Sequence, residues 1–262
     1  MSDLRIFSYL PNPRIWKATI AARLCGLDIE VRGAAPRELQ SWLWDFDAHP
    51  LSEDDRTAAN VRAGKVGFKS ALHKTDAFLE AHPFGTVPAA FSPDGKTGIF
   101  ESNSIMRAVA RLGEDKFPLY GHDAYEASRI DSFLDASLVF ARDMQIYLLG
   151  FGGDGMSGEI HGRTREAFAA YAGGINQALA GNRKFLVGDD VTIADICFVA
   201  ELSLFMNEKS RGKELASKAL KPILHSEIHK EYPLAFAHFD RLCAHPAFAP
   251  DVQPYLKKFA AS

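Results

Sequence analysis

The hydrophobic positions divide the chain into two textures. From Leu4 to Ser8 apolar and polar residues alternate closely enough for a strand. After Pro11-Asn12-Pro13 the stretch from Ile15 to Leu24 has helical apolar spacing and stops at Gly26, and Asp28 to Val31 reads as a second short strand. Strand, helix, strand in that order predicts a βαβ unit with a parallel pair. Polar segments interrupt the pattern over 33–72, and Lys74 to Ala81 then reads as a short helix. Val87 to Phe91 and Thr97 to Phe100 flank Pro93-Asp94-Gly95, whose turn chemistry predicts an antiparallel hairpin. A helix over Ser102 to Leu112 closes this first part.

Residues 113–120 carry turn formers without periodicity, and everything beyond reads as helices. Asp123 to Leu149 is long, a Gly-rich stop follows from Gly150 to Gly158, and further helices are expected over 159–180, 192–208, 233–244 and 251–260. In Val191-Thr192-Ile193-Ala194-Asp195-Ile196 the spacing predicts a capping box: Thr192 as N-cap, Asp195 answering it at N3, and Val191 with Ile196 as a hydrophobic staple. Two domains follow, an α/β domain over 1–112 with its insertion at 33–72, and an all-helical domain over 121–262.

Composition narrows the class. At 262 residues with 47% apolar and 24% charged positions, the chain can bury a real core in one large or two modest domains. Thirty basic against 33 acidic residues leave a net charge of -3, which excludes a field strong enough to make nucleic acid the main partner. Asp3 stands where a signal peptide wants cations, and no apolar run reaches the roughly 18 residues of a membrane span, so a cytoplasmic protein is expected. Cys25, Cys197 and Cys243 form an odd set with no C-x-x-C, which fits packed, reduced thiols. No metal site is expected: His225 and His229 lack a third ligand, and Glu227 does not sit in H-E-x-x-H order. The glycines of 150–155 lack the lysine and the strand-to-helix setting of a phosphate loop.

Three short segments carry candidate chemistry. Pro83-Phe84-Gly85-Thr86-Val87-Pro88 puts a proline at a strand entrance, where its missing N–H costs least. It reads either as a plain turn proline or as a cis proline that frees the neighbouring backbone to pair with an extended ligand. Glu101-Ser102 opens a helix: Ser102 suits an N-cap, and a hydroxyl with free N–H groups beside a carboxylate also fits the head of an α-amino acid. Trp42-Leu43-Trp44-Asp45-Phe46 alternates as a strand packed on the domain surface or as a roof over an apolar ligand.

Together, these segments and their order resemble the glutathione transferase superfamily over nearly the whole chain. The pattern is most similar to the elongation factor 1 gamma subunit and its bacterial relatives, carried by Pro11-Asn12-Pro13-Arg14-Ile15-Trp16-Lys17-Ala18, Phe100-Glu101-Ser102-Asn103, Ser132-Phe133-Leu134-Asp135 and the run from Phe185 to Asp195. The resemblance implies a thioredoxin-like N-terminal domain and an all-helical C-terminal domain, with glutathione as co-substrate. On that analogy Val87 pairs its backbone with the cysteinyl part, Pro88 is cis, Glu101 and Ser102 hold the γ-glutamyl head, and His82 or Thr86 lies near the glycyl carboxylate. Activation of the thiol falls to the start of the first helix, with Asn12 as main donor, Ser8 second and Arg14 as a nearby cation. Tyr9 would line the cleft, Trp16 the core or cleft wall, and Trp44, Phe140, Met144 and Tyr147 the second-substrate site.

What this implies is a transferase in which the glutathione thiolate attacks an apolar, aromatic electrophile, an aryl ether among the candidates. A non-catalytic assembly module like the elongation factor gamma domain and a carrier of hydrophobic ligands are the alternatives. With the sequence ending at Ser262, no tether to a second module is expected. The superfamily resemblance also implies a dimer, homo- or heteromeric, and a small-molecule partner, without nucleic acid or membrane.

Overall fold

In a computed structural model the described residues are 2–64, 68, 70–151 and 155–259, and the chain forms two compact units, Met1–Phe117 and Pro118–Ser262. The first opens with β1 (Leu4–Tyr9), α1 (Pro13–Cys25) and β2 (Ile29–Ala34). Asn12 caps α1, Pro13 occupies its first turn where no N–H is needed, and Gly26 ends it in the left-handed conformation (φ 63°) with its N–H donating to the Ala22 carbonyl. The chain then returns parallel to β1, from Leu4 opposite Ile29 to Tyr9 opposite Ala34. Strand approach is tight at the far end, where a Cβ on Gly33 (φ 152°) would fall 1.7 Å from the Ser8 carbonyl oxygen.

Segment 35–74 is no mere polar interruption. Its described residues form β3 (Trp42–Trp44), β4 (His49–Pro50), β5 (Val61–Arg62) and β6 (Leu72–Lys74), a second four-stranded sheet in the order β4-β3-β6-β5. Trp44 is its anchor. Its side chain is buried with Phe7, Leu39, Leu72, Phe78 and Phe91, its Nε1 donates to the Leu39 carbonyl at 3.0 Å, and its ring meets Phe7 edge-on at 5.5 Å. The short helix α2 (Asp76–Ala81) starts two residues later than its sequence suggests, because Thr75 accepts from the Phe78 N–H as N-cap and Lys74 stays in β6.

The hairpin of β7 (Ala89–Phe91) and β8 (Gly98–Phe100) completes the main sheet in the order β2-β1-β7-β8, and α3 (Ser102–Leu112) follows. Strand alternation sends Phe7 toward the insertion sheet and Ile6 and Ser8 to the opposite face. Helices α1 and α3 pack together. The βαβ unit and the hairpin are present as their sequence signals predict, and together they give the thioredoxin-like α/β arrangement that the resemblance implied.

The second unit is helical: α4 (Ala124–Gly150), α5 (Gly158–Ala178), α6 (Ile193–Phe205), α7 (Gly212–Ser217), α8 (Ile228–Glu231), α9 (Pro233–Cys243) and α10 (Ala249–Leu256). Helix α4 packs on α5 and α6, and α5 on α9. The helix expected over 192–208 gives way at Met206 to a 3-10 turn, and the one expected over 251–260 runs from 249 to 256; residue 260, like 152–154 of the Gly-rich stretch, lies outside the described residues. His225 precedes α8, which holds His229, and pairs with Glu231 at 3.0 Å. The three cysteines are buried thiols outside any disulfide. Among the described residues no helix is long and apolar enough to cross a membrane, and no group of three or more His, Cys, Asp or Glu could hold a metal ion.

The capping box of α6 is present and extends further than its four-residue signature. Asp195 accepts from the Thr192 N–H and hydroxyl, both at 2.9 Å, from the Leu186 N–H at 3.0 Å and from His238 Nε2 at 2.8 Å. Arg241 can only donate, so His238 Nδ1 accepts from it at 2.6 Å and the ring proton sits on Nε2, facing Asp195. One carboxylate with no solvent exposure therefore ties the 186 loop, α6 and α9 together. Asp195→Ala leaves four buried donors unanswered and is expected to cost about 3 kcal/mol or more in urea unfolding, against about 1 kcal/mol for Thr192→Ala.

Candidate functional site

Register alone locates the site. Phe7 lies opposite Ala89 and Ala89 opposite Phe100, with β7 antiparallel to both neighbours, so the C-terminal ends of β1 and β8 meet the segment entering β7. Tyr9, Val87, Pro88, Glu101 and Ser102 thus gather at one edge of the sheet. The Val87–Pro88 bond is cis, as the resemblance implied, and a second cis bond joins Leu10 to Pro11. Val87 lies two residues ahead of β7, unpaired in either ladder, while its side chain packs on the aromatic core.

The segment before Val87 is held from inside the domain. Lys74, buried at the end of β6, donates its Nζ to the Gly85 carbonyl and lies over the Trp44 ring at 4.4 Å. His82, expected near a ligand carboxylate, is instead 1% exposed, stacked on Phe100 at 4.9 Å and 3.4 Å from the Thr86 hydroxyl through Nε2. It braces the loop from beneath; Thr86 is the half-buried member of the pair. Burial, with Lys74 adding to it, pushes the His82 pKa down to about 4.

At the other side of the edge, Glu101 adopts φ 65°, ψ 124°, a conformation costly for any residue with a Cβ, and it is exposed. Glu101, not Ser102, occupies the N-cap position of α3, and its side chain makes no capping bond. Ser102 is half-buried, and its Oγ accepts from Lys17 Nζ at 3.2 Å; the same Nζ donates to Asn103 Oδ1 at 2.7 Å. Lys17, 1% exposed on α1, thus reaches the start of α3, a contact that periodicity missed. A single cation inside the apolar run from Ile15 to Ala22 was the available signal.

The expected thiol donors are turned inward. Asn12 is 1% exposed, its Oδ1 accepts from the Arg14 N–H at 3.0 Å, and its Nδ2 donates to Ser8 Oγ at 3.2 Å. Ser8 has no exposure. Sequence brings the two together correctly but misjudges their direction, because the helix start and the strand end satisfy each other. Arg14 and Tyr9 remain half-buried at this edge.

The expected second-substrate walls are likewise core residues. Trp44 belongs to the aromatic core of the first unit. Phe140, Met144 and Tyr147 are each 1% exposed or less within the helical unit, Phe140 stacked on Tyr171 at 5.2 Å and Tyr147 donating to Glu208 at 2.6 Å. The space left beside Phe140, Phe168 and Tyr171 is about 10 Å³, room for one water at most. Trp16 is core as well.

Residues 159–246 match the family described as glutathione S-transferase, C-terminal domain. A glutathione S-transferase-like protein of a Fusarium species, LUC7, is 29% identical over 202 residues, covering 76% of this chain and 75% of that one. The chain is similar to glutathione transferases over most of its length, and residues 159–246 carry that family's C-terminal domain. A probable elongation factor 1-gamma of Arabidopsis thaliana is 34% identical over half of this chain, a match that spans 31% of that relative's length. Among solved structures, a glutathione S-transferase of Methylobacterium radiotolerans in complex with glutathione sulfonate superposes with a TM-score of 0.63 over 95% of this chain and 94% of that one, at 20% identity. The transferase URE2P8 of Phanerochaete chrysosporium, with oxidized glutathione, gives 0.67 over 99% and 98% at 14% identity.

Two outcomes follow from the geometry of this edge. His82 is neutral in the fold and titrates near 6.5 when unfolded, so its contribution is complete above that pH and lost as pH falls through about 4. Thermal melts should therefore lose up to about 3 kcal/mol of stability over that window, and His82→Gln should flatten the loss. Glu101→Gly removes the left-handed strain and is expected to stabilise the fold by about 1 kcal/mol, read in the same melts.

Proposed function

We propose that this protein binds glutathione along the edge formed by Val87, Pro88, Glu101 and Ser102 and joins its sulfur to an electrophilic carbon. The observation that carries the reading is Glu101: an exposed carboxylate held in a left-handed conformation without capping its helix, beside a hydroxyl at the start of α3 and across from the unpaired Val87 backbone. Glu101 would take the γ-glutamyl ammonium, Ser102 the carboxylate, and Val87 the cysteinyl backbone as an added strand. With Asn12 and Ser8 turned inward, thiolate stabilisation falls to the N-terminal turn of α1 with the Arg14 cation. The thiol releases its proton, the sulfur forms the new bond to carbon, and the leaving group departs with the electron pair. The side chains that argued for an aryl ether are core residues, so the electrophile is proposed only as an apolar carbon centre.

A non-catalytic module is the second reading, favoured by the burial of Asn12 and Ser8 and by the likeness to elongation factor 1-gamma. Calorimetry with glutathione and a thiol-consumption assay against aryl halides and ethers separate the two. Binding with turnover is expected, with Glu101→Ala weakening binding at least about tenfold and Arg14→Met lowering turnover more than binding. Binding without turnover selects the assembly module; no binding in either assay removes the glutathione reading.

A further inference from the structure

Lysine has only donors, so the contact between Lys17 Nζ and Ser102 Oγ has one possible polarity: the serine oxygen accepts. A hydroxyl carries a single hydrogen, and with an ammonium on one lone pair that hydrogen must point away from Lys17. Asn103 Oδ1 holds the same Nζ at 2.7 Å and is itself 2% exposed, which fixes the lysine head beneath the first turn of α3. Ser102, by contrast, is half-buried. The positive charge also adds to the positive end of an 11-residue helix.

We propose that Lys17 is a positioning residue for an α-amino-acid carboxylate: it turns the Ser102 hydroxyl into an outward donor and biases the start of α3 toward an anion. The inference rests on the glutathione reading and adds to it a residue that touches no ligand. Its chemistry discriminates. A carboxylate accepts from Ser102 and feels the buried charge, whereas an amide in its place loses the charge-assisted part of that bond.

The test is calorimetry of wild type, Lys17→Met, Ser102→Ala and the double variant, using glutathione and an analogue whose γ-glutamyl α-carboxylate is an amide. Lys17→Met is expected to weaken glutathione about tenfold, to leave the amide analogue nearly unchanged, and to add little once Ser102 is alanine. Equal loss for both ligands, or full additivity with Ser102→Ala, would make Lys17 a mere brace between α1 and α3 and overturn the proposal. Asn103→Asp keeps a partner on the lysine and cancels its charge, so it tests the idea should Lys17→Met fail to fold: glutathione binding should fall about tenfold with the amide analogue unaffected, and unchanged glutathione binding overturns it. A wild-type protein that binds neither ligand removes the glutathione reading, and the Lys17 role falls with it; normal wild-type binding with no effect of either variant removes only the latter.

Discussion

The antiparallel register that sets Ala89 between Phe7 and Phe100 decides where the rest of the first unit falls. It brings a strand entrance beside two strand exits, so groups distant in sequence reach one edge without any loop having to carry them there. Two helix starts end up at that edge, α1 after Asn12 and α3 after Glu101, each with its positive end toward the same region. The opposite faces of the sheet divide the labour: aromatic packing under Trp44 on one side, the α1 and α3 pair with its buried lysine on the other.

Much of this was legible in the sequence because it is written in local chemistry. Asn12, Pro13 and Gly26 delimit α1 by cap, fixed φ and left-handed stop, and Thr192 with Asp195 marks α6; such signals depend on a few neighbouring residues and survive any tertiary context. The insertion sheet was not legible, since strands of two or three residues carry too little period to stand out from polar loop. Trp42 and Trp44 announced a strand but not which side it would bury.

Site residues failed for a related reason: sequence shows which group is present and not what already occupies it. Asn12 and Ser8, four positions apart, satisfy each other through a 3.2 Å bond that the sequence does not announce. Phe140, Met144 and Tyr147 recur at helical spacing, and a stripe of that kind says that one face is covered without saying by what. Lys17 stands out only as a cation in an apolar run and nothing local marks Lys74, yet each ends buried, one under Ser102 and one under Gly85.

The contact of Lys74 with both Trp44 and Gly85 couples the insertion to the segment that leads into Val87. A shortened version of this domain, trimmed back to the four main strands and three helices, would lose more than a decoration. Phe7, Phe78 and Phe91 would be stripped of their cover, and the turn at Gly85 would lose its internal tether. The segment is thus part of the folding module itself, its apolar side chains and those of the main sheet forming one shared core rather than two stacked layers.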